Sequence, residues 1–206
     1  SEFPGIELHL IEGNSSELAN DLLHGTIDLM IDLLPFTAEN VDTVPICQEE
    51  ILLVVPDEVL KKAHPDGWDE LRKKMEQGAD VRLLENCPFV LLNKGNRVRT
   101  IADEIFEDAQ VTPHIALETE NIETALALSV KGMGITFYPR MFMSPDHAAN
   151  TNKNPLTHQT GLNLYPLNYS RAHGTLGLGY HKGHYMSRAT HEFIRIALER
   201  IPYKND

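Results

Sequence analysis

The spacing of apolar residues changes period several times along the chain, and each change predicts an element. Residues 5–13, "GIELHLIEG", alternate apolar and polar between Pro4 and Gly13, which predicts a strand. "NSSELANDLLHG" then puts Leu18, Leu22 and Leu23 on one helical face. Asn14, Ser15 or Ser16 can cap that helix, and Gly25 can end it. "TIDLMIDLLP" (26–35) is a nearly continuous apolar run, the pattern of a strand covered on both faces. Strand, helix and strand in this order predict a right-handed, parallel βαβ unit.

Next come a short strand in "VDTVPICQEE" and a second strand at 50–55. Residues 59–84 are helical and polar around Trp68 and Leu71, and they read as a surface insertion with Trp68 as its packing anchor. After Asn86-Cys87-Pro88 the alternation restarts. Strands are expected at 89–93 ("FVLLN"), 114–119 ("HIALET") and 134–139 ("GITFYP"), with helices in "IADEIFEDA" and "NIETALALSVKG", the second capped by Asn121. This is a βαβαβ pattern. "SPDHAANTNKNP" reads as loop, "GLNLYPL" and "TLGLGYHKG" as strands, and "SRATHEFIRIALERI" as a closing helix capped by Ser187.

Composition narrows the functional classes. With 206 residues the chain is long enough for one large domain or two small lobes. The formal net charge of -12 repels phosphates and makes this chain a poor nucleic-acid binder by itself. There is no apolar run of membrane-spanning length and no secretory leader pattern in "SEFPGIELHL". Two cysteines, Cys47 and Cys87, fit a reducing compartment, so a cytoplasmic location is expected.

Candidate chemistry is sparse. "KGMGI" follows a helix and opens a strand, the reverse of a dinucleotide-binding turn. His181, His184 and His191 lack the converging ligands zinc needs, so no metal is expected. Ser15 and Ser16 lie outside any Gly-x-Ser-x-Gly context, and no catalytic constellation or cofactor site is expected. What remains is position: helix starts at 14–16, 96–100 and 119–121 all follow predicted strands. Free N–H groups at such helix starts, outside the carboxyl ends of strands, suit ligand binding.

Three pieces together resemble the effector-binding domain of LysR-type transcriptional regulators: "FPGIELHLIEGNSSELANDLLHGTIDLMI", "PFVLLNKGNRVRTIADEIFEDAQVTPHIALETENIETALALSVKGMGITFYPR" and "YHKGHYMSRATHEFI". Their order and spacing cover nearly the whole chain. The resemblance implies an α/β fold like the type II periplasmic binding proteins, with two Rossmann-like lobes joined by two crossover strands. On that reading lobe I is 1–86 with the insertion at 59–84, lobe II is 87–181, and 182–206 returns to lobe I. It also implies a winged helix-turn-helix and a further strand and helix ahead of "FPGI", so the chain is expected to be a fragment.

A small-molecule effector is then expected between the lobes. The residues implied as its walls are Asn14, Ser15, Ser16, Ile31 and Leu33 in lobe I. In lobe II they are Asn93, Gly95, Asn96, Thr119, Asn121, Thr136 and Phe137. Leu33 is apolar where some relatives carry a cation, which disfavours a strongly anionic ligand. The implied partners are a homo-oligomer, dimer or tetramer in the full-length protein, and DNA through the N-terminal domain alone, with no membrane. A solute-binding protein of a transport system shares the architecture and is the alternative reading; "GIELHLIEGNSSEL" and "SRATHEFI" favour the regulator.

Overall fold

The structure, a computed structural model, describes residues 3–36, 38–142 and 162–201. It divides into two compact units, Ser1–Gln48 with Gly174–Asp206 (unit 1) and Glu49–His173 (unit 2). The chain passes between them inside one long strand and again at His173/Gly174. This division differs from the expected lobe boundaries: residues 49–86 go with unit 2, and 174–181 go with unit 1.

Unit 1 begins with a correction. Residues 5–13 form no strand; every residue from Phe3 to Gly13 is exposed and joins no sheet. Alternation specifies which face a strand buries, but a strand also needs a neighbouring edge to bond, and among the described residues none pairs with it. Helix α1 (Ser15–His24) follows. Asn14 is its cap, its side chain accepting from the Glu17 N–H at 2.9 Å, and Gly25 ends it in the left-handed region at φ 74°. Ala19 and Leu22 face inward and pack with Met30.

Strand β1 (Met30–Leu33) is shorter than the 26–35 run and is not covered on both faces: Met30 and Leu33 are buried while Ile31 is half exposed. It pairs antiparallel with the last strand, His173–His181, Met30 opposite Gly179. The parallel βαβ unit expected at this end is therefore absent, because its first strand does not form. The closing helix, Arg188–Arg200, is capped by Ser187 as expected, with the Ser187 Oγ accepting from the Thr190 N–H at 3.1 Å.

The two strands expected around residues 41–55 are one continuous strand, β2 (Val41–Pro56). Residues 51–56 are buried without alternation, as in a strand covered on both faces. The segment at 59–84 is not a mere surface insertion. It folds as α2 (Asp57–Ala63), α3 (Trp68–Met75) and a 3-10 turn (Val81–Leu84), fixed by buried Val59, Leu60, Met75, Val81 and Leu84. Trp68 is half-buried and carries the Lys61 Nζ 4.4 Å from its ring centroid; the buried anchors of α3 are Leu71 and Met75.

The remainder of unit 2 follows the expected βαβαβ order: β3 (Pro88–Leu92), α4 (Arg97–Ala109), β4 (His114–Thr119), α5 (Ile122–Val130) and β5 (Thr136–Pro139). β3 and β4 are parallel neighbours. β5 begins beside β3 through a parallel bridge between Phe89 and Ile135, then pairs antiparallel with β2. β6 (Leu162–Pro166) pairs antiparallel with β2 from Leu52 to Pro56, and His173–His181 is β7. The helix Arg188–Arg200 is α6 in this numbering. The loop expected at 144–155 lies outside the described residues.

The core of unit 2 centres on three rings. Phe89 meets Phe106 edge-on at 5.1 Å and stacks on Phe137 at 6.3 Å, while Phe106 meets Phe137 edge-on at 5.6 Å. Such pairs each add about 0.5–1.5 kcal/mol beyond area burial. Gly134 makes this packing possible: a Cβ there would lie 2.8 Å from the Pro88 carbonyl oxygen. At the far end of β5 the buried Glu49 carboxylate accepts the Met141 N–H at 3.2 Å, and Glu50 holds Arg140 at 2.6 Å. Burial pushes the Glu49 carboxyl up from its ordinary range, against the backbone N–H groups that favour its charge.

Candidate functional site

Two parallel strands, each feeding a helix, end side by side in unit 2. The Asn93 N–H donates to the Thr119 carbonyl at 2.8 Å, so the exits of β3 and β4 are tied together. After β3 the chain turns through Lys94 and Gly95, whose φ of 94° lies in the region that favours glycine. Asn96 then caps α4, its side chain accepting from the Val98 N–H at 2.9 Å. After β4, Asn121 caps α5, accepting from the Thr124 N–H at 3.0 Å. Five of the expected wall residues, Asn93, Gly95, Asn96, Thr119 and Asn121, are therefore gathered at one end of one sheet.

The capping bonds use the amide oxygens of Asn96 and Asn121. Each side chain keeps its NH2 as a further donor. Two helix N-termini open at the same place, and each carries a partial positive charge. Lys94 is exposed between them. Such an arrangement can donate several hydrogen bonds to oxygen-rich groups and favours a single negative charge.

Arg99 is the residue sequence reasoning missed. It is only 4% exposed and reaches back from the first turn of α4. Its Nη1 donates to the Leu92 carbonyl at 2.7 Å and to the Glu118 carboxylate, and its Nε donates to Asp103 at 2.8 Å. Burial disfavours its charge, and the Glu118 and Asp103 carboxylates outweigh that, so its pKa is raised. Leu92 and Glu118 immediately precede Asn93 and Thr119. One guanidinium thus fixes both strand exits from behind. The sole sequence signal is the Arg99/Asp103 spacing, which suits an i,i+4 helix pair.

The other expected residues lie elsewhere. Asn14, Ser15 and Ser16 stand at the start of α1 in unit 1, where Asn14 acts as the cap. Ile31 and Leu33 are in β1, Ile31 half exposed and Leu33 buried. Thr136 and Phe137 are buried in unit 2, with the Phe137 ring in the aromatic core. They stand behind the strand exits, not on an open surface.

His181 and His184 stack with ring centroids 3.9 Å apart, and the His181 Nδ1 accepts the Gly183 N–H at 3.0 Å. A stacked pair with one nitrogen engaged does not aim two lone pairs at one ion. Among the described residues no three His, Cys, Asp or Glu side chains converge as a metal site. Nor is any helix among them long and apolar enough to cross a membrane.

With this geometry in view, similarity to known proteins is informative. The LysR substrate binding domain family matches residues 1–202. The HTH-type transcriptional regulator YcgK of Bacillus subtilis is 27% identical over 147 residues, covering 68% of this chain and 45% of that protein. YybE of the same organism is 30% identical over 139 residues, covering 67% and 43%. The chain thus spans under half the length of these relatives. Among solved structures, the effector-binding domain of QuiR in complex with shikimate superposes with a TM-score of 0.73 at 18% identity, covering 97% of this chain and 84% of that one. The CcmR regulatory domain of Synechocystis PCC6803 in complex with 2-PG gives 0.72 at 16% identity, covering 98% and 86%.

Proposed function

The chain belongs to the LysR substrate-binding domain family, and on that footing we propose that a small, hydrogen-bonding organic acid is its effector and that the exits of β3 and β4 form one wall of the binding site. The observation that carries this reading is the Asn93–Thr119 junction with two capped helix N-termini opening beside it. Asn93, Asn96 and Asn121 supply amide donors, and Thr119 supplies a hydroxyl. Gly95 lets the backbone approach the ligand closely.

The neutral polar side chains of the wall suit a ligand with one carboxylate and several hydroxyls better than a polyanion. Shikimate in QuiR is a ligand of that chemistry. Asn14, Ser15, Ser16 and Ile31 in unit 1 are proposed to reach the same effector.

Acid-base or nucleophilic work has no arrangement to support it at this wall, so the reading is recognition without turnover. The relatives are helix-turn-helix regulators more than twice the matched length. A longer protein would therefore carry DNA binding in a separate domain, work in the cytoplasm and act as a homo-oligomer. An acidic chain of this kind is a poor DNA reader by itself.

The test is a thermal-shift screen of the purified chain against small hydroxylated organic acids, beginning with shikimate, and against polyphosphates. Binding to the folded state raises stability by about 2.7 kcal/mol at a hundredfold excess over Kd. A rise in Tm with monocarboxylates and none with polyphosphates is expected. Stabilisation by polyphosphates alone would contradict the ligand class.

A further inference from the structure

The two strand exits joined at Asn93 and Thr119 differ in charge. Residues 93–99, which leave β3 and open α4, carry Lys94, Arg97 and Arg99 and no acid. Residues 118–124, which leave β4 and open α5, carry Glu118, Glu120 and Glu123 and no base. The contrast reaches the helix starts themselves. The first turn of α4 contains no acidic residue, while that of α5 contains Glu123. A carboxylate in the first turn offsets the partial positive charge that a helix start presents to an anion. The two starts are therefore unequal as hosts for negative charge, although each carries an asparagine cap.

The acid at the α5 start is held in place. The Tyr138 hydroxyl donates to the Glu123 Oε1 at 2.5 Å, and Tyr138 is itself buried on β5. A charge fixed before the ligand arrives acts on it without a further ordering cost. The buried cation nearby does not cancel it. Arg99 is bonded by the carboxylates of both Glu118 and Asp103, so it adds no net positive charge behind the junction. Glu123 stands two residues after the Asn121 cap, well within reach of a ligand group placed there.

We propose that Glu123 is a specificity-determining residue of the ligand wall: it turns a second anionic group away from the α5 start and leaves the α4 start to take the effector's single carboxylate. This rests on the wall reading above and deepens it from a ligand class to a ligand orientation. The carboxylate lies toward Gly95, Asn96 and Arg97, and the hydroxyls lie toward Thr119 and Asn121. A dianion must set one of its charges beside Glu123, with Glu118 and Glu120 close in sequence, and like-charge repulsion weakens its binding.

The test is calorimetric titration with two probes that share one carbon skeleton, shikimate and shikimate 3-phosphate. They are titrated into the wild-type chain and into Glu123→Gln, Glu123→Asp and Glu107→Gln. Glutamine keeps an acceptor for the Tyr138 hydroxyl and removes the charge. Aspartate keeps the charge. Glu107 is exposed near the far end of α4, and its replacement changes the net charge equally. The wild type is expected to prefer shikimate by about tenfold or more, and Glu123→Gln to narrow that preference by about threefold or more. Glu123→Asp and Glu107→Gln should leave the preference within about twofold of wild type, since charges beyond a Debye length are screened. Far-UV circular dichroism of each variant checks that it folds. A preference unmoved by Glu123→Gln, or moved as far by Glu107→Gln, would overturn the inference and leave the wall standing, as would a wild type that binds both probes equally. A wild type that binds neither probe would overturn the wall reading and this inference with it.

Discussion

Unit 1 and unit 2 are built from the same kinds of element, yet they differ in how completely each covers its apolar surface. In unit 1 the buried apolar side chains among the described residues are Ala19, Leu22, Met30, Leu33, Ile46, Leu176 and Leu178. Against these stand exposed Ile6, Leu8, Leu10, Ile31, Phe193 and Leu198. Unit 2 buries residues 51–55, both faces of β3, one face of α4 and the three-ring cluster. Since apolar burial is the main favourable term in folding, unit 2 is expected to hold its geometry and unit 1 to yield first. The ligand wall proposed here stands on the better-packed unit, which suits a site whose donors must be held in place.

Removing a ring from unit 2 should have the largest effect. Phe89→Ala deletes the partner of both Phe106 and Phe137 and is expected to cost about 3–5 kcal/mol. Leu22→Ala, in the thinner cluster of unit 1, should fall near the low end of its class at about 2 kcal/mol. Urea denaturation with native-state hydrogen exchange measures both. Equal costs, or stronger amide protection in α1 than in β3, would break the comparison.

Gly134→Val comes next. The added side chain meets the Pro88 carbonyl, backbone that cannot swing aside, and the expected loss is about 1–3 kcal/mol. An unchanged melting temperature would contradict the close approach of β5 to β3.

Gly134 also shows what was legible in the sequence. A glycine opening the strand "GITFYP" shortly after a helix signals close backbone contact, and the β3–α4–β4–α5–β5 order followed from periodicity alone. The caps Asn121 and Ser187 were readable because a side chain bonding its own helix start is a local event. The failure was at 5–13, where the alternation was real and the partner edge was not. Pairing is a non-local property that one strand's pattern cannot supply. The same limit applied to 59–84, where helices polar in composition still fix Leu60, Met75 and Leu84 inside. Arg99 escaped notice because a lone arginine on a helix is ordinarily a solvated one, and its partners Leu92 and Glu118 are distant in sequence.

A smaller effect lies at the acid end. The Arg82 guanidinium holds the Asp80 carboxyl down at about 2, helped by the Tyr169 hydroxyl and the Arg82 N–H, against the cost of burial. Because the folded pKa lies below the unfolded value of 3.8, this stability is present above that value and is lost as pH falls towards about 2. Asp80→Asn should flatten the pH 4 to 2 limb of a urea midpoint profile by at most about 2 kcal/mol. Glu49 acts with the opposite sign: its raised pKa makes stability fall as pH rises from 4.5 through its folded value. An Asp80→Asn profile parallel to wild type would remove Asp80 from the acid limb.

The smallest effects belong to the caps. Asn14→Ala in unit 1 and Asn121→Ala in unit 2 should each cost about 1 kcal/mol of stability. They should differ in binding if only Asn121 stands on the principal wall, and calorimetric titration with a hit from the screen separates the two. Equal loss of affinity in both would assign the walls equal weight.

The most direct test of the sensing wall is the backbone amide spectrum of the chain titrated with a stabilising carboxylate. The expected result is that the largest shifts fall on Asn93, Lys94, Gly95, Asn96 and Arg97 and on Thr119 to Ile122. Shifts centred instead on His64, Gly67, Glu70 and Lys74, which line a groove beside α3, would contradict it.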